Sequence, residues 1–143
     1  QARSLVGAGC PIHRALNKQV TVQHPDMPSL NAISYTMFID HHDDGTLVGA
    51  TVLPPGRLDR SPCGTGTSAR MALLHARGDL AEGEDFIHES IIGSTFRGRV
   101  EGLAKVGNHP AIRPSVAGWS RITGLNTIFV DDRDPYAAGF QLA

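Results

Sequence analysis

Near the middle of the chain lies the stretch Asp59-Arg60-Ser61-Pro62-Cys63-Gly64-Thr65-Gly66-Thr67-Ser68-Ala69-Arg70-Met71-Ala72. Pro62 ends any strand that precedes it, and good helix formers follow Gly66, so the stretch predicts a turn from a strand into a helix. Backbone amides at a helix start lack partners within the helix, so they can hold an anion and favour a thiolate. This turn therefore combines a candidate acid/base or nucleophile, Cys63, with a carboxylate cradle and an acidic neighbour, Asp59.

Upstream of the turn, the sequence predicts one helix and three strands. Apolar residues fall on one face of a helix over residues 11–19, and alternation predicts a strand over 19–24. Residues 31–40 and 46–53 are rich in strand formers, and the Asp-Gly pair between them indicates a hairpin.

A cluster of possible metal ligands occupies this hairpin, in the order Asp40, His41, His42, Asp43 and Asp44. It has two interpretations, a metal site and a solvated hairpin. Adjacent residues in a turn rarely converge on one ion, so the second is favoured and no metal is expected.

Downstream, residues 67–77 predict a helix that is apolar nearly all round and hence buried on most sides, with Gly78 as its C-cap. His88 and Glu89 are adjacent in a predicted strand, so they should point to opposite faces and form no catalytic pair. Bends are expected at Gly98 and Gly102. The predicted strands are 86–92, 94–106, 113–116, 118–123 and 126–130.

Length, net charge and cysteine content limit the classes of protein to which this chain can belong. The 143 residues suffice for one domain, and a net charge of −1 gives no reason to expect nucleic acid or an anionic membrane as partner. No apolar run is long enough to cross a membrane, and no segment resembles a signal peptide. The chain has two cysteines, Cys10 and Cys63, and so few favour reduced thiols and a cytoplasmic location.

Residues 59–69 closely resemble the second catalytic motif of the proline racemase and 4-hydroxyproline epimerase family. The resemblance continues through 89–99, 124–130 and 134–140, so it covers most of the chain. It implies an α+β fold, with mostly antiparallel strands wrapped around a central buried helix, as one half of a two-domain diaminopimelate epimerase-like fold. Residues 1–121 would form the C-terminal catalytic domain, and 122–143 would pack on the N-terminal domain.

The same resemblance implies inversion of the α-carbon of a free proline-like imino acid, without a cofactor, by two cysteines that face each other across the substrate. Cys63 matches one cysteine, Asp59 the position that meets the ring nitrogen, and Gly64 and Thr65 the amides that grip the carboxylate. The other cysteine belongs to a Cys-Gly-His motif, which this sequence lacks. Cys10 does not replace it, because the residues after it do not match.

The chain begins with Gln1, and we expect it to be the C-terminal half of a longer enzyme, inactive by itself. The missing half and a second copy are the candidate protein partners, because the family often forms dimers. A non-catalytic proline-binding domain becomes the leading interpretation if the chain is complete.

Three other interpretations remain. Relatives that dehydrate trans-3-hydroxyproline typically carry threonine where Cys63 stands, so cysteine favours a racemase or epimerase, with 4-hydroxyproline preferred over proline. The spacing of Gly64, Gly66 and Ala69 fits a loose dinucleotide fingerprint, which requires a parallel βαβ unit, whereas the preceding strands look hairpin-linked. The stretch could also be a plain glycine-rich turn with a buried thiol.

Overall fold

Two helices and six strands are found in residues 2–141, the part of the chain that the computed structural model describes. All six strands belong to one sheet, in the order β1-β2-β4-β5-β6, with the short β3 paired to the end of β2. The predicted α+β class is therefore confirmed. The elements are α1 (Ala2–Gln19), β1 (Thr36–His41), β2 (Leu47–Leu53), β3 (Arg57–Leu58), α2 (Gly64–Arg77), β4 (Asp85–Ser90), β5 (Thr95–Val106) and β6 (His109–Ala117).

Antiparallel hairpins form the two edges of the sheet. β1 pairs with β2 along its whole length, and Gly45, at φ 85°, lies in the connecting turn as the Asp-Gly pair predicts. β5 pairs with β6 and contains a bulge between Val100 and Gly102, which confirms the bend predicted at Gly102. Gly98 lies in a regular pair instead, and a Cβ there would come within 2.6 Å of the Met71 sulfur.

The middle of the sheet contains a parallel pair, β2 and β4, and α2 is the crossover between them. One side of α2 packs on the sheet, while Leu73 on another side is 42% exposed. Burial on most sides, predicted from the apolar composition of α2, is therefore seen on the sheet-facing side only. Gly78 ends the helix in a left-handed conformation, as predicted. The core around α2 consists of Leu47, Met71, Leu80, Phe86 and Val100.

α1 begins at Ala2, well before the predicted start at residue 11, and Pro11 lies inside it. Proline suits the first turn of a helix, which is why the sequence favoured a start there. Contacts with the sheet explain the longer helix: Gly9 is buried, and a Cβ on it would lie 2.8 Å from Val52 Cγ2. Neither described helix is both long enough and apolar enough to span a membrane.

Three of the predicted strands are wrong. Of the strand predicted over 19–24, residue 19 ends α1 and residues 20–24 adopt irregular backbone. Residues 118–123 and 126–130 are irregular too, whereas 113–116 form part of β6 as predicted. A strand-like pattern needs a neighbouring edge to pair with, and no strand of the described sheet pairs with these segments.

Residues 118–141 contain no helix or strand, and most of their large apolar side chains are exposed. Leu125, for example, is 96% exposed. An apolar surface of this kind is typical of a region that contacts other protein. The segment expected to close the fold, 122–143, lies mostly here, and its residues 142 and 143 lie outside the described residues. The exposed side chains are Trp119, Ile122, Leu125, Ile128, Phe129, Val130, Tyr136 and Phe140.

Candidate active site

Short polar side chains shape the turn between β3 and α2. The Asp59 amide donates to the Thr51 carbonyl of β2 at 2.8 Å, and Asp59 Oδ1 accepts from the Ser61 amide at 2.9 Å. Ser61 Oγ in turn accepts from the Cys63 amide at 3.0 Å. Because these side chains replace backbone partners, they set the path of the chain from the sheet into the helix.

Cys63 caps the N-terminus of α2 in a backbone conformation that is rare outside glycine. Its φ is 67° and its ψ 107°, and no other non-glycine residue within 2–141 has a positive φ. Its sulfur accepts from the Gly66 amide at 3.3 Å and lies 3.5 Å from the Thr65 hydroxyl oxygen. Such outliers cluster at functional sites, so Cys63 is the leading candidate for a reacting group.

The first amides of α2 form a candidate anion site. The Thr67 amide donates to the Cys63 carbonyl at 2.8 Å, whereas the amides of Gly64 and Thr65 make no hydrogen bond within the described chain. A Cβ added at Gly64 would meet nothing within 4 Å, so a ligand can approach the backbone there. Together with the helix dipole, these free amides suit a carboxylate.

Cys63 also lines a pocket of about 540 Å³ between α2 and β1. The pocket is mainly apolar, and two polar side chains stand out in it. Thr51 is 2% exposed and its hydroxyl has no partner among the described residues, and Arg70 contributes a positive charge. An apolar pocket with a few polar groups is typical of a small-molecule site. Its lining is Ser34, Tyr35, Met37, Ile39, Thr51, Cys63, Thr65, Gly66, Ala69, Arg70 and Leu73.

The predicted site residues do not all line this pocket. Cys63 and Thr65 do, and Gly64 lies exposed beside them at the helix start. Asp59 instead lines a separate pocket of about 350 Å³, together with Trp119.

Beneath Cys63 lies a buried pair that the sequence analysis missed as part of the site. Thr67 Oγ1 lies 2.8 Å from the Cys63 carbonyl and 2.8 Å from His88 Nδ1. Burial, and to a lesser degree the charge of Arg70, lowers the pKa of His88 to about 4, so its ring is neutral at pH 7. The alternation of β4, in which residues 86, 88 and 90 are buried, was the available signal for a histidine directed into the core.

His88 and Glu89 point to opposite faces, as predicted. Glu89 Oε1 lies 3.3 Å from His42 Nε2 on the exposed side. The other hairpin residues bond locally: Asp40 accepts from the His41 amide, and Asp44 from the Thr46 amide, which lowers the Asp44 pKa. Within residues 2–141, no three potential ligands come together in a metal-binding group.

Cys10 makes its contacts outside the pocket that Cys63 lines. Its sulfur lies 3.6 Å from the Pro55 carbonyl oxygen, and both cysteines are free thiols. Cys10 therefore contributes nothing to the pocket that Cys63 lines.

The parallel pair β2 and β4 revises one argument against dinucleotide binding, because a βαβ crossover is present after all. Gly66 nevertheless does not leave the space that the glycines of a dinucleotide-binding loop leave. Gly64 and Gly66 lie in the first turn of α2, and the place of a Cβ on Gly66 is taken by the Met37 methyl group. A pyrophosphate would need that space.

Residues 1–141 match the family model described as proline racemase. The chain belongs to this family. It is 49% identical over 144 residues to the 4-hydroxyproline epimerases of Brucella suis and Brucella melitensis, an alignment that covers 99% of this chain and 43% of each relative. The chain thus spans less than half the length of these curated relatives.

Two solved structures resemble the fold. A hydroxyproline epimerase from Agrobacterium vitis, with bound trans-4-hydroxy-L-proline, is 41% identical with a TM-score of 0.83, covering 98% of this chain and 40% of that one. A probable proline racemase from Agrobacterium radiobacter, with bound carbonate, is 43% identical with a TM-score of 0.84, covering 98% and 41%. The family resemblance drawn from residues 59–69 is confirmed.

Proposed function

We propose that the protein containing this chain is an isomerase that inverts the α-carbon of a free proline-like imino acid, with 4-hydroxyproline as the preferred substrate. Cys63 carries this proposal, because its sulfur lies at the start of a helix, beside unpaired amides and in the wall of a pocket. The names of the Brucella relatives support the choice of substrate.

The proposed reaction uses two thiol groups and no cofactor. A thiolate on one face of the substrate takes the α-proton, so the C–H bond breaks and an S–H bond forms. A thiol on the other face then gives its proton to the carbanion, which forms a new C–H bond of opposite configuration. Cys63 is one of these groups, and the other comes from outside residues 1–143, since Cys10 lies elsewhere.

The remaining site residues stabilise the carbanion-like state. An α-proton is only weakly acidic, so the site must hold the substrate carboxylate against fixed donors. The amides of Gly64 and Thr65 are free for this role. Asp59 is assigned to the cationic ring nitrogen: its Oδ1 accepts from Ser61, while its Oδ2 has no bond within residues 2–141. Substrate would lie between the pockets of Cys63 and Asp59.

The division of the chain follows from this proposal. Residues 1–121 act as a catalytic domain, and 122–143 pack on the domain that supplies the second cysteine. The exposed apolar side chains of 118–141 suit such a contact. We also propose a cytoplasmic location, which the two free thiols support, and a homodimer as the assembly.

Proton NMR in D₂O tests the reaction directly. The natural full-length protein is incubated with L-proline and, separately, with trans-4-hydroxy-L-proline, and the α-proton signal is followed. We expect that signal to disappear from 4-hydroxyproline as the inverted, deuterated product accumulates. In a third tube with trans-3-hydroxy-L-proline, a product that has lost the ring hydroxyl would indicate a dehydratase. Binding without exchange in every tube would indicate a non-catalytic domain.

A further inference from the structure

Thr67 and His88 join α2 to β4 directly under the backbone of Cys63. Thr67 Oγ1 lies 2.8 Å from the Cys63 carbonyl oxygen, 3.4 Å from the Pro62 carbonyl oxygen and 2.8 Å from His88 Nδ1. Thr67 and His88 are both 0% exposed. The three contacts converge on one hydroxyl, which therefore links the sheet to the two residues at the tip of the turn.

The direction of each hydrogen bond follows from the chemistry of the groups. A carbonyl oxygen can only accept, so the single Thr67 hydroxyl proton goes to the Cys63 or Pro62 carbonyl. The hydroxyl oxygen must then accept from His88 Nδ1–H. His88 is thereby fixed in the Nδ1–H form, and its Nε2 carries no proton.

The His88 ring is tightly packed, and one of its two nitrogens has no partner. Its Nε2 has no hydrogen-bond partner within the described residues, and a Cβ on Gly49 of β2 would collide with that nitrogen. Such an unpaired buried nitrogen is unfavourable, so packing alone would favour an apolar side chain here. The contact with Thr67 is the one hydrogen bond that the His88 side chain makes within residues 2–141.

We propose that His88, through Thr67, is a positioning residue that holds Cys63 in its positive-φ conformation and so directs the thiol at the Gly66 amide and the pocket. Cys63 would otherwise relax to a more common backbone conformation. Thr67 prevents this because its amide and its hydroxyl both bind the Cys63 carbonyl. The catalytic consequence rests on the proposed function, whereas the effect on the thiol does not.

Alkylation of Cys63 by iodoacetamide tests the proposal in the full-length protein. Peptide mass spectrometry gives separate rates for Cys63 and Cys10, so Cys10 is an internal control. Cys63 is only 6% exposed although it lines the pocket, so loosening of the turn should expose more of its sulfur and speed its alkylation. Thr67→Val keeps the shape but loses the hydroxyl, and it should raise the Cys63 rate at least about fivefold; Thr67→Ser should stay within about twofold of wild type.

His88 provides a second, independent pair of variants. In His88→Asn the amide nitrogen lies near the place of Nδ1 and can still donate to Thr67, whereas in His88→Gln it lies near Nε2. We therefore expect His88→Gln to behave like Thr67→Val and His88→Asn like Thr67→Ser. A Cys63 rate unchanged by Thr67→Val and His88→Gln, or an equal rise at Cys10, would overturn the proposal.

Kinetics on the same variants separate positioning from general loss of structure. Thr67→Val should lower kcat about tenfold or more while KM stays within about threefold, because the carboxylate site at Gly64 and Thr65 is retained. A loss confined to KM would contradict the assigned role. If the wild-type protein inverts no imino acid, the proposed function fails, and the alkylation rates still decide whether His88 positions Cys63.

Discussion

The two ends of α2 both place a residue at positive φ, but they do so with different residues. At the C-terminal end Gly78 has φ 82°, and its amide donates to the His75 carbonyl at 3.0 Å. Glycine adopts this conformation without a steric penalty. At the N-terminal end Cys63 has φ 67° and carries a Cβ. The C-terminal end is therefore built for stability, whereas the N-terminal end accepts strain in order to present a thiol.

Among substitutions at the two ends of α2, Cys63→Ser should have the largest effect, because it removes the thiol of the proposed reaction. A hydroxyl is a far weaker acid than a thiol, so the proton transfer should slow by about 1000-fold or more. The unfolding midpoint should change little, because serine also suits a helix N-cap. Deuterium exchange at the substrate α-carbon measures the reaction, and circular dichroism the fold. Inversion at the wild-type rate would remove Cys63 from the mechanism.

Local signals explain what the sequence predicted about this helix. Pro62, the glycines that follow Cys63 and the run of helix formers act within a few residues of each other, so they predict the turn, the thiol at its tip and Gly78 as the cap. The long motif of residues 59–69 also indicated the family, because it is far more specific than a single glycine pair.

Contacts between distant residues explain what the sequence did not predict. The φ of Cys63 depends on Thr67 and His88, which are 21 positions apart. The early start of α1 depends on packing of Gly9 against Val52, and the wrong strands at 118–130 needed an edge that the described sheet does not provide. Alternation and helical periodicity report which side of an element is apolar, but not what it packs against.

Lowering the pH should destabilise the N-terminal end of α2 before it destabilises the C-terminal end. Folding lowers the pKa of His88 from 6.5 to about 4, mainly through burial and partly through the charge of Arg70. The stability that neutral His88 contributes is therefore fully present above about pH 6.5 and is lost as the pH falls through about 4. At about 1.4 kcal/mol for each pH unit, the loss reaches at most about 3.5 kcal/mol.

Amide hydrogen exchange, corrected for intrinsic rates, distinguishes the two ends. Between pH 7 and pH 4 the Thr67 amide should lose protection before the Gly78 amide does. In His88→Asn, which cannot take up this proton, the difference between the ends should shrink. Parallel loss at both ends would mean that the buried charge on His88 destabilises the whole fold and not the N-terminal end of α2 in particular.

At the C-terminal end, Gly78→Ala should lower the free energy of unfolding by about 1 kcal/mol, because a Cβ at φ 82° is unfavourable. The reaction rate should not change, since Gly78 touches none of the site residues. Urea unfolding measures the first quantity and the NMR assay the second. Arg77→Ala, on the exposed end of the same helix, is the matched control and should alter stability by less than about 0.5 kcal/mol.

The smallest expected effect is a difference in stability between two variants that reports the backbone strain at Cys63. Cys63→Gly and Cys63→Ala both lack the thiol and differ only in the Cβ. Relief of the positive φ favours glycine by about 1–3 kcal/mol, and the greater freedom of glycine in the unfolded chain offsets about 0.5–1 kcal/mol of this. We therefore expect Cys63→Gly to be the more stable by about 1 kcal/mol in urea unfolding. At exposed Ala76, within the same helix, Ala76→Gly should instead destabilise by about 1 kcal/mol. If Cys63→Ala proves the more stable of the pair, the cysteine conformation carries no strain, and both ends of α2 would then be ordinary caps.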